Sequence, residues 1–208
     1  MTKTLIFIVI SCLSAAIQAF AASSQQPQVA RLQAVTTEVL DAIYSESGAS
    51  LSKEEKQAKV RAVLEENYDL SVIIRRAIGR NWRRLDSSQQ EKVLELVKQL
   101  VVKAYVDSMN GRERPELSFG EAIQISDKRM EIPSTVMSEG TSVSVLYRLG
   151  RMRSGWQIYD VVAENISVVA NYRQQIDDHF RKGSAEELIT RLEELLNKEE
   201  ITDETLQL

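Results

Sequence analysis

Residues 155–173 read GWQIYDVVAENISVVANYR, and the hydrophobic period changes in the middle of them. Trp156, Ile158, Asp160 and Val162 alternate with Gln157, Tyr159, Val161 and Ala163, a period of two that predicts a β-strand. From Ile166 the apolar residues fall at Ile166, Val169, Ala170 and Ile176, a spacing that predicts the start of a helix. Glu164-Asn165 is the corner between them. A strand that feeds straight into a helix folding back over the same sheet predicts either a filled core or a pocket. The alternation places Asp160 on the face of Trp156 and Ile158. A carboxylate there needs a partner, so an arginine partner and a structural role are expected.

Upstream of this corner the chain stays β-like. Predicted strands run over Glu116–Ile125, Lys128–Met137, Thr141–Leu149 and Gly155–Ala163, with Gly140, Gly150 and Gly155 at or near the connections. Val143, Val145, Tyr147 and Leu149 share one face of the third strand. Met130, Ile132 and Val136 share one face of the second. One apolar and one polar face predict a four-stranded antiparallel sheet covered on one side.

Helices flank the sheet. Val29, Leu32, Val35, Val39, Leu40 and Ile43 mark one helical face. Ser52 with Glu55 has the capping-box form and predicts a second helix. Val72–Ile78 predicts a short helix ended by Gly79. Asp86-Ser87-Ser88 opens the longest, about Ser88–Met109, roughly 33 Å long. Its apolar residues cover far more than a stripe, which predicts burial on most sides. Beyond the corner, Ile166–Arg181 and a capping box at Ser184–Glu187 predict two more helices. The whole reads as one α+β domain over 22–198, with 199–208 as a frayed tail.

The start of the chain has a different character. Lys3, the apolar run Leu5–Ile17 and Ala19-Phe20-Ala21 predict a signal peptide over 1–21, cleaved before Ala22. Val9-Ile10-Ser11-Cys12 loosely resembles a lipoprotein box, but leaves a very short apolar core ahead of it. Cleavage removes Cys12, the one cysteine, and leaves no disulfide. The net charge of −4 argues against nucleic acid as the main partner.

Composition also restricts chemistry. With no mature cysteine and one histidine, His179, there is no thiol nucleophile and no Cys/His metal cluster. Asp177-Asp178-His179 are helix neighbours that point apart. Glu54-Glu55 and Glu186-Glu187 fit capping and the helix dipole. No catalytic residue, metal ligand or cofactor site is expected. The basic run Arg75, Arg76, Arg80, Arg83 and Arg84 around Trp82 reads either as a solvated face or as a binding surface for anionic groups. Patterning alone leaves open whether the long helix and the sheet enclose a filled core or an apolar cavity.

Several pieces taken in order resemble one family. Trp156-x-x-Tyr159-Asp160-Val161, Glu164-x-x-Ser167-x-Val169 and Asn171-Tyr172-Arg173 look like the signature of the Mla-type (toluene-tolerance, MlaC-like) periplasmic phospholipid carriers. Ala77-Ile78-Gly79-Arg80-Asn81-Trp82-Arg83, Ser87–Glu91 with the helix to Tyr105, and Gly183–Leu192 resemble further segments of that family. The match spans about residues 30–196. Asn165 departs from the family's usual Gly. Val97, Leu100 and Ile176 stand in regions where phenylalanine is common.

The resemblance implies a soluble shuttle that carries phospholipid as cargo between outer and inner membranes, maintaining outer-membrane asymmetry; a monomer is expected. It implies two protein partners, an outer-membrane lipoprotein complex and an inner-membrane ABC transporter with an MCE-domain subunit. It also implies a pocket between sheet and helices. By position, the expected lining is Val97, Val101 and Tyr105 from the long helix, Val145 and Tyr147 from the third strand, Ile158 from the fourth, and Ile166 and Val169 from the corner. Two other readings stay open at this point: an exported α+β hydrolase, and a periplasmic interaction protein with a filled core.

Overall fold

The computed structural model of the chain describes residues 27–202. The expected signal peptide, Cys12 and the tail beyond 202 lie outside the described residues. Helix α1 occupies 27–44 and a short turn of helix, α2, occupies Glu46–Ala49. Then come α3 (Lys53–Asn67), α4 (Leu70–Ile78), a 3₁₀ segment (Gly79–Arg84) and α5 (Ser87–Met109). The strands are β1 (Glu116–Phe119), β2 (Ile123–Ser126), β3 (Arg129–Ser138), β4 (Thr141–Met152), β5 (Gly155–Ala163) and β6 (Ile166–Ser167). Helices α6 (Val168–Lys182) and α7 (Ala185–Leu196) close the fold.

Helix starts follow local chemistry. Ser52, Asp86 and Ser184 each accept a hydrogen bond from the backbone N–H three residues on, while the side chain there accepts from the cap's own N–H. Gly79 ends α4 at φ 61°, a conformation that a side chain disfavours. Helix α4 begins two residues earlier than expected, with Asp69 as its cap accepting from the Ser71 N–H.

The α+β class holds, but the sheet has six strands rather than four. All pairs are antiparallel, in the order β1–β3–β4–β5–β6, with β2 also on β3. The predicted first strand splits at Gly120, so β1 and β2 pair with successive stretches of β3. The predicted helix start at Ile166 is instead β6. Ala163 pairs with Ile166, leaving Glu164 and Asn165 as a two-residue hairpin turn. Both have positive φ, 47° and 65°, which is the type I′ geometry.

A β-bulge decides how β5 presents its side chains. Arg148 pairs with Asp160, but Leu149 pairs with Ile158, so Tyr159 is an extra residue on β5. Ile158 therefore lies on the inner face with Leu149, while Asp160 lies on the outer face with Arg148. The expectation that Asp160 shares a face with Trp156 and Ile158 is corrected by this one extra residue. Past the bulge, Val161 takes the inner face with Tyr147.

Two cores share α5. Val102 and Val106 join Leu32, Val35 and Val39 of α1 and Met130, Ile132 and Leu149 of the sheet. Val93 and Leu100 join Ile74 and Ile78 of α4, Ile176 and Phe180 of α6, and Leu188 and Leu192 of α7. The start of the expected frayed tail is anchored: Ile201 is buried in this second core. Its N–H donates to Asp107 Oδ2 at 2.8 Å, and Lys53 lies 2.7 Å from Asp107 Oδ1.

Two predictions follow from these local geometries. Asn165→Val puts a β-branched residue at φ 65° and lowers stability by about 1–2 kcal/mol. Asn165→Gly changes it by less than about 0.5 kcal/mol. Equal urea midpoints for the two variants would count against the turn assignment. The second concerns α3 and α5. Arg61 donates to both oxygens of Glu95 at 2.6 and 2.7 Å. That bond, with a smaller contribution from Gln99, lowers the Glu95 carboxyl to about 2. A lowered carboxylate stabilises the fold above its ordinary range and stops doing so as pH falls toward 2. Because Glu95 is 45% exposed, the effect is at most about 0.5 kcal/mol. The gap between parent and Glu95→Gln should close between about pH 4.5 and 2 in thermal melts; a gap that persists unchanged at pH 2 excludes the pair.

Candidate functional site

An apolar cavity of about 250 Å³ lies where α4, α5 and α6 meet β5. Helix α4 contributes Ile73, Ile74, Ala77 and Ile78, and α5 contributes Val97, Leu100 and Val101. Val168, Val169, Tyr172 and Ile176 come from α6, Val161 from β5 and Leu192 from α7. None of these side chains is charged. The short helix α4 can wall it because its sequence LSVIIRRAI sets Ile73, Ile74, Ala77 and Ile78 on one side and Arg75 and Arg76 on the other.

The corner of β5, β6 and α6 holds the α6 wall in place. Asp160 is 6% exposed. Its carboxylate accepts from Ser167 Oγ at 2.8 and 2.9 Å and from the Val169 N–H at 3.2 Å. Arg148 Nη1 donates to it at 3.1 Å, and Arg148 Nε donates to Glu131 at 3.0 Å. Ser167 in turn caps α6 by accepting from the Ala170 N–H. A carboxylate at a helix N-terminus also meets the positive end of the helix dipole. The turn before it is tied to β4, since the Ser144 N–H donates to Glu164 Oε1 at 2.6 Å.

The residues expected on the lining fall in four places. Val97, Val101 and Val169 line this cavity. Tyr105, Tyr147 and Ile158 are packed against the sheet-side core, where α1 covers the inner face of the sheet. Burial pushes the Tyr105 and Tyr147 hydroxyls above their ordinary range, as expected of a dry compartment. Val145 lines a separate open depression with Phe119, Pro133 and Leu146. Ile166 is 63% exposed on the two-residue strand β6. Sequence reasoning missed the α4 wall and Val161, and also Leu100, Val168, Tyr172, Ile176 and Leu192. The first was legible in the amphipathic spacing of α4; the second depends on the bulge at Tyr159.

The acidic-histidine triplet does not converge. Asp177 Oδ1 accepts from Asn81 and Arg80, Asp178 pairs with Arg181, and His179 Nε2 lies 2.9 Å from the Ser184 carbonyl. Among the described residues no group of three His, Cys, Asp or Glu is placed to hold a metal ion. No helix among them is long and apolar enough to cross a membrane.

The sequence profile of the MlaC protein family matches residues 33–194. The chain belongs to the MlaC protein family. No curated protein sequence matches it. A phospholipid-binding protein from Ralstonia solanacearum, solved in complex with a phospholipid, is similar in fold: TM-score 0.67 at 20% identity, covering 80% of this chain and 95% of that one. A cystatin-like domain of unknown function from Nostoc punctiforme aligns over 50% of this chain and 68% of that one at 16% identity, with a TM-score of 0.27 that is too low to bear on the fold. The MlaC family assignment points to a binding or transport protein rather than an enzyme.

The corner's network makes a direct prediction. Asp160→Ala leaves Arg148 short of one partner and the start of α6 without its acceptor. It should cost about 2–4 kcal/mol in urea unfolding. Asp160→Asn, which keeps an acceptor, should cost less. Parent-like stability in both variants would show that the corner is held by packing alone.

Proposed function

We propose that this chain is a periplasmic carrier that encloses the acyl tails of a phospholipid and shuttles it between the outer and inner membranes. The observation that carries this reading is the uncharged cavity bounded by α4, α5, α6 and β5. The Ralstonia protein of the same fold was solved with a phospholipid, and the family is the one to which this chain belongs. On this reading the cargo is bound without covalent chemistry, and the partners are an outer-membrane lipoprotein complex and an inner-membrane ABC transporter with an MCE-domain subunit. The protein is exported by the signal peptide read at 1–21, works as a monomer and uses no cofactor.

The energetics suit such a role. Two acyl tails hold roughly 30 methylenes. At about 0.8 kcal/mol each, exposing them to water costs on the order of 24 kcal/mol. A carrier crossing water therefore encloses nearly all of both tails. It need not outbid the bilayer, which buries the same surface, so net transfer is close to balanced and the partners set its direction. Within the cavity Val97, Val101 and Val169 contact the tails, and Tyr172 offers the lining's one side-chain hydroxyl. Tyr105, Tyr147, Ile158, Val145 and Ile166 act by shaping the surrounding core and rim.

Counting all the space between atoms, its solvent-facing part included, the cavity holds about 910 Å³. At about the volume of a water molecule per methylene, roughly 30 Å³, two tails need on the order of 900 Å³. That is comparable with the space present, so two tails would fill both the cavity and its solvent-facing mouth.

Native mass spectrometry of the gently purified protein, followed by solvent extraction, tests the reading. The expected spectrum shows one phospholipid per chain. Ala77→Phe, which fills the cavity from α4, should lower lipid occupancy at least about fivefold, with a change in stability of no more than about 1–3 kcal/mol. A parent protein without lipid, or an Ala77→Phe variant with undiminished occupancy, would reject this cavity as the cargo site.

A further inference from the structure

The outer side of α4 carries a second feature that the cavity does not explain. Arg75 and Arg76 are exposed there, opposite the cavity wall. Arg75 lies over the Trp82 ring at 5.0 Å, and Arg76 lies over the Tyr159 ring at 4.5 Å. Arg129 of β3 reaches the same tyrosine ring at 6.0 Å. The bulge makes this possible, since Tyr159 is the extra residue that it turns outward, against Gly150. Lys128 and Arg151 adjoin Arg129, joined by the Arg151 N–H to the Lys128 carbonyl at 2.9 Å.

These five cations are exposed, and none forms an ion pair with a described residue. Glu131 and Asp160 bind Arg148, and Asp177 binds Arg80; the one acid left beside the patch is the exposed Asp127, which forms no ion pair with a described residue and leaves five cations against one carboxylate. The unbalanced positive patch sits on a chain of net charge −4. Such a concentration raises the local potential and steers an anionic partner.

We infer that the Arg75, Arg76 and Arg129 surface around Tyr159 is a docking site for an acidic protein face. The choice of protein over bilayer rests on how the cations are held. Anionic bilayers attract clusters of basic residues as point charges, with no demand on side-chain geometry. Here four of the five cations are arginines, and three lie against aromatic rings. Stacking reduces the side-chain freedom lost on binding, and the planar guanidinium binds carboxylates in a bidentate fork. Arginine, tyrosine and tryptophan are also the residues enriched where protein interfaces concentrate their energy. The inference does not depend on what the cavity holds. Because the same helix walls that cavity, a partner gripping Arg75 and Arg76 holds the outer side of a cargo wall.

The test uses the full chain with a photo-crosslinking residue in place of Lys128, expressed in its own cells. The expected product is an adduct with one protein whose crosslinked peptide lies among carboxylates. The adduct should fall about tenfold or more in Arg76→Glu/Arg129→Glu, with melting behaviour retained. It should fall less in Arg76→Gln/Arg129→Gln, and recover when a carboxylate beside the crosslinked peptide is changed to lysine. In parallel, sedimentation with vesicles of 30% phosphatidylglycerol should show no binding that the reversal abolishes. The inference is overturned by an adduct that survives the double reversal, by a crosslinked peptide without acids, by loss without recovery, by no protein adduct, or by reversal-sensitive vesicle binding. Lipid occupancy measured on the same variants should stay at the parent level, which separates a failed docking surface from a failed cargo site.

Discussion

The extra residue in β5 is the constraint on which the rest depends. Without the bulge the strand would alternate evenly, Tyr159 would pair with Arg148, and Asp160 would be driven into the apolar face beneath α1 and α5, where a lone carboxylate is costly. With it, Asp160 turns to the outer face and finds Arg148, Ser167 and the N–H of Val169. That single carboxylate then joins three elements: the middle of the sheet through Arg148, the short strand β6 through Ser167, and the first turn of α6. The same shift sends Val161 inward to the cavity. A bulge thus supplies at once a buried anchor, a cavity wall and an outward tyrosine.

The second organising feature is α5. Its N-terminal half belongs to the helical core with α4, α6 and α7, and its C-terminal half to the sheet-side core with α1. The two cores differ in how full they are. On the sheet side, α1 lays Leu32, Val35 and Val39 onto Met130, Ile132 and Leu149, all nearly inaccessible to water. On the other side α4 is only nine residues long. It cannot fill the angle between α5, α6 and β5, and a cavity is left. The first helix decides which compartment is closed, and the shortest wall decides which one is open.

Much of this was legible in the sequence. The capping boxes at Ser52 and Ser184, the opening of the long helix at Asp86, the Gly79 stop and the antiparallel hairpins all follow from local rules, because caps and turns are set by a few neighbouring residues. An arginine partner for Asp160 was legible because a buried carboxylate demands one. What was not legible was register and coverage. A period-of-two reading carries no mark for a bulge whose extra residue, Tyr159, is itself a good strand former, so Asp160 and Val161 were assigned to the wrong faces. The split of the first strand at Gly120 likewise depends on the partner strand β3. Whether Tyr105, Tyr147 and Ile158 meet a cavity or α1 is a question of where α1 docks, and its own apolar stripe fits either outcome.

The modest cavity volume has a physical reason of its own. A cavity that water does not fill costs about 24 cal/mol per Å³ in lost contacts. At 250 Å³ that is on the order of 6 kcal/mol, already comparable with the whole stability of a domain, about 5–15 kcal/mol. A much larger enclosed, dry space would cost more than the fold has to spare, and this cavity is partly open: Val101 of its lining is 52% exposed. The described core has no disulfide to hold such a space open. On the carrier reading proposed above, a bound tail would restore those lost contacts. The wall that such filling would shift most easily is the one with the fewest hydrogen bonds to its neighbours. Helix α4 fits the description: its inner side is held by dispersion contacts across the cavity, while its polar ties, Asp69 to Gln157 and the Arg76 carbonyl to Arg173, sit at its two ends.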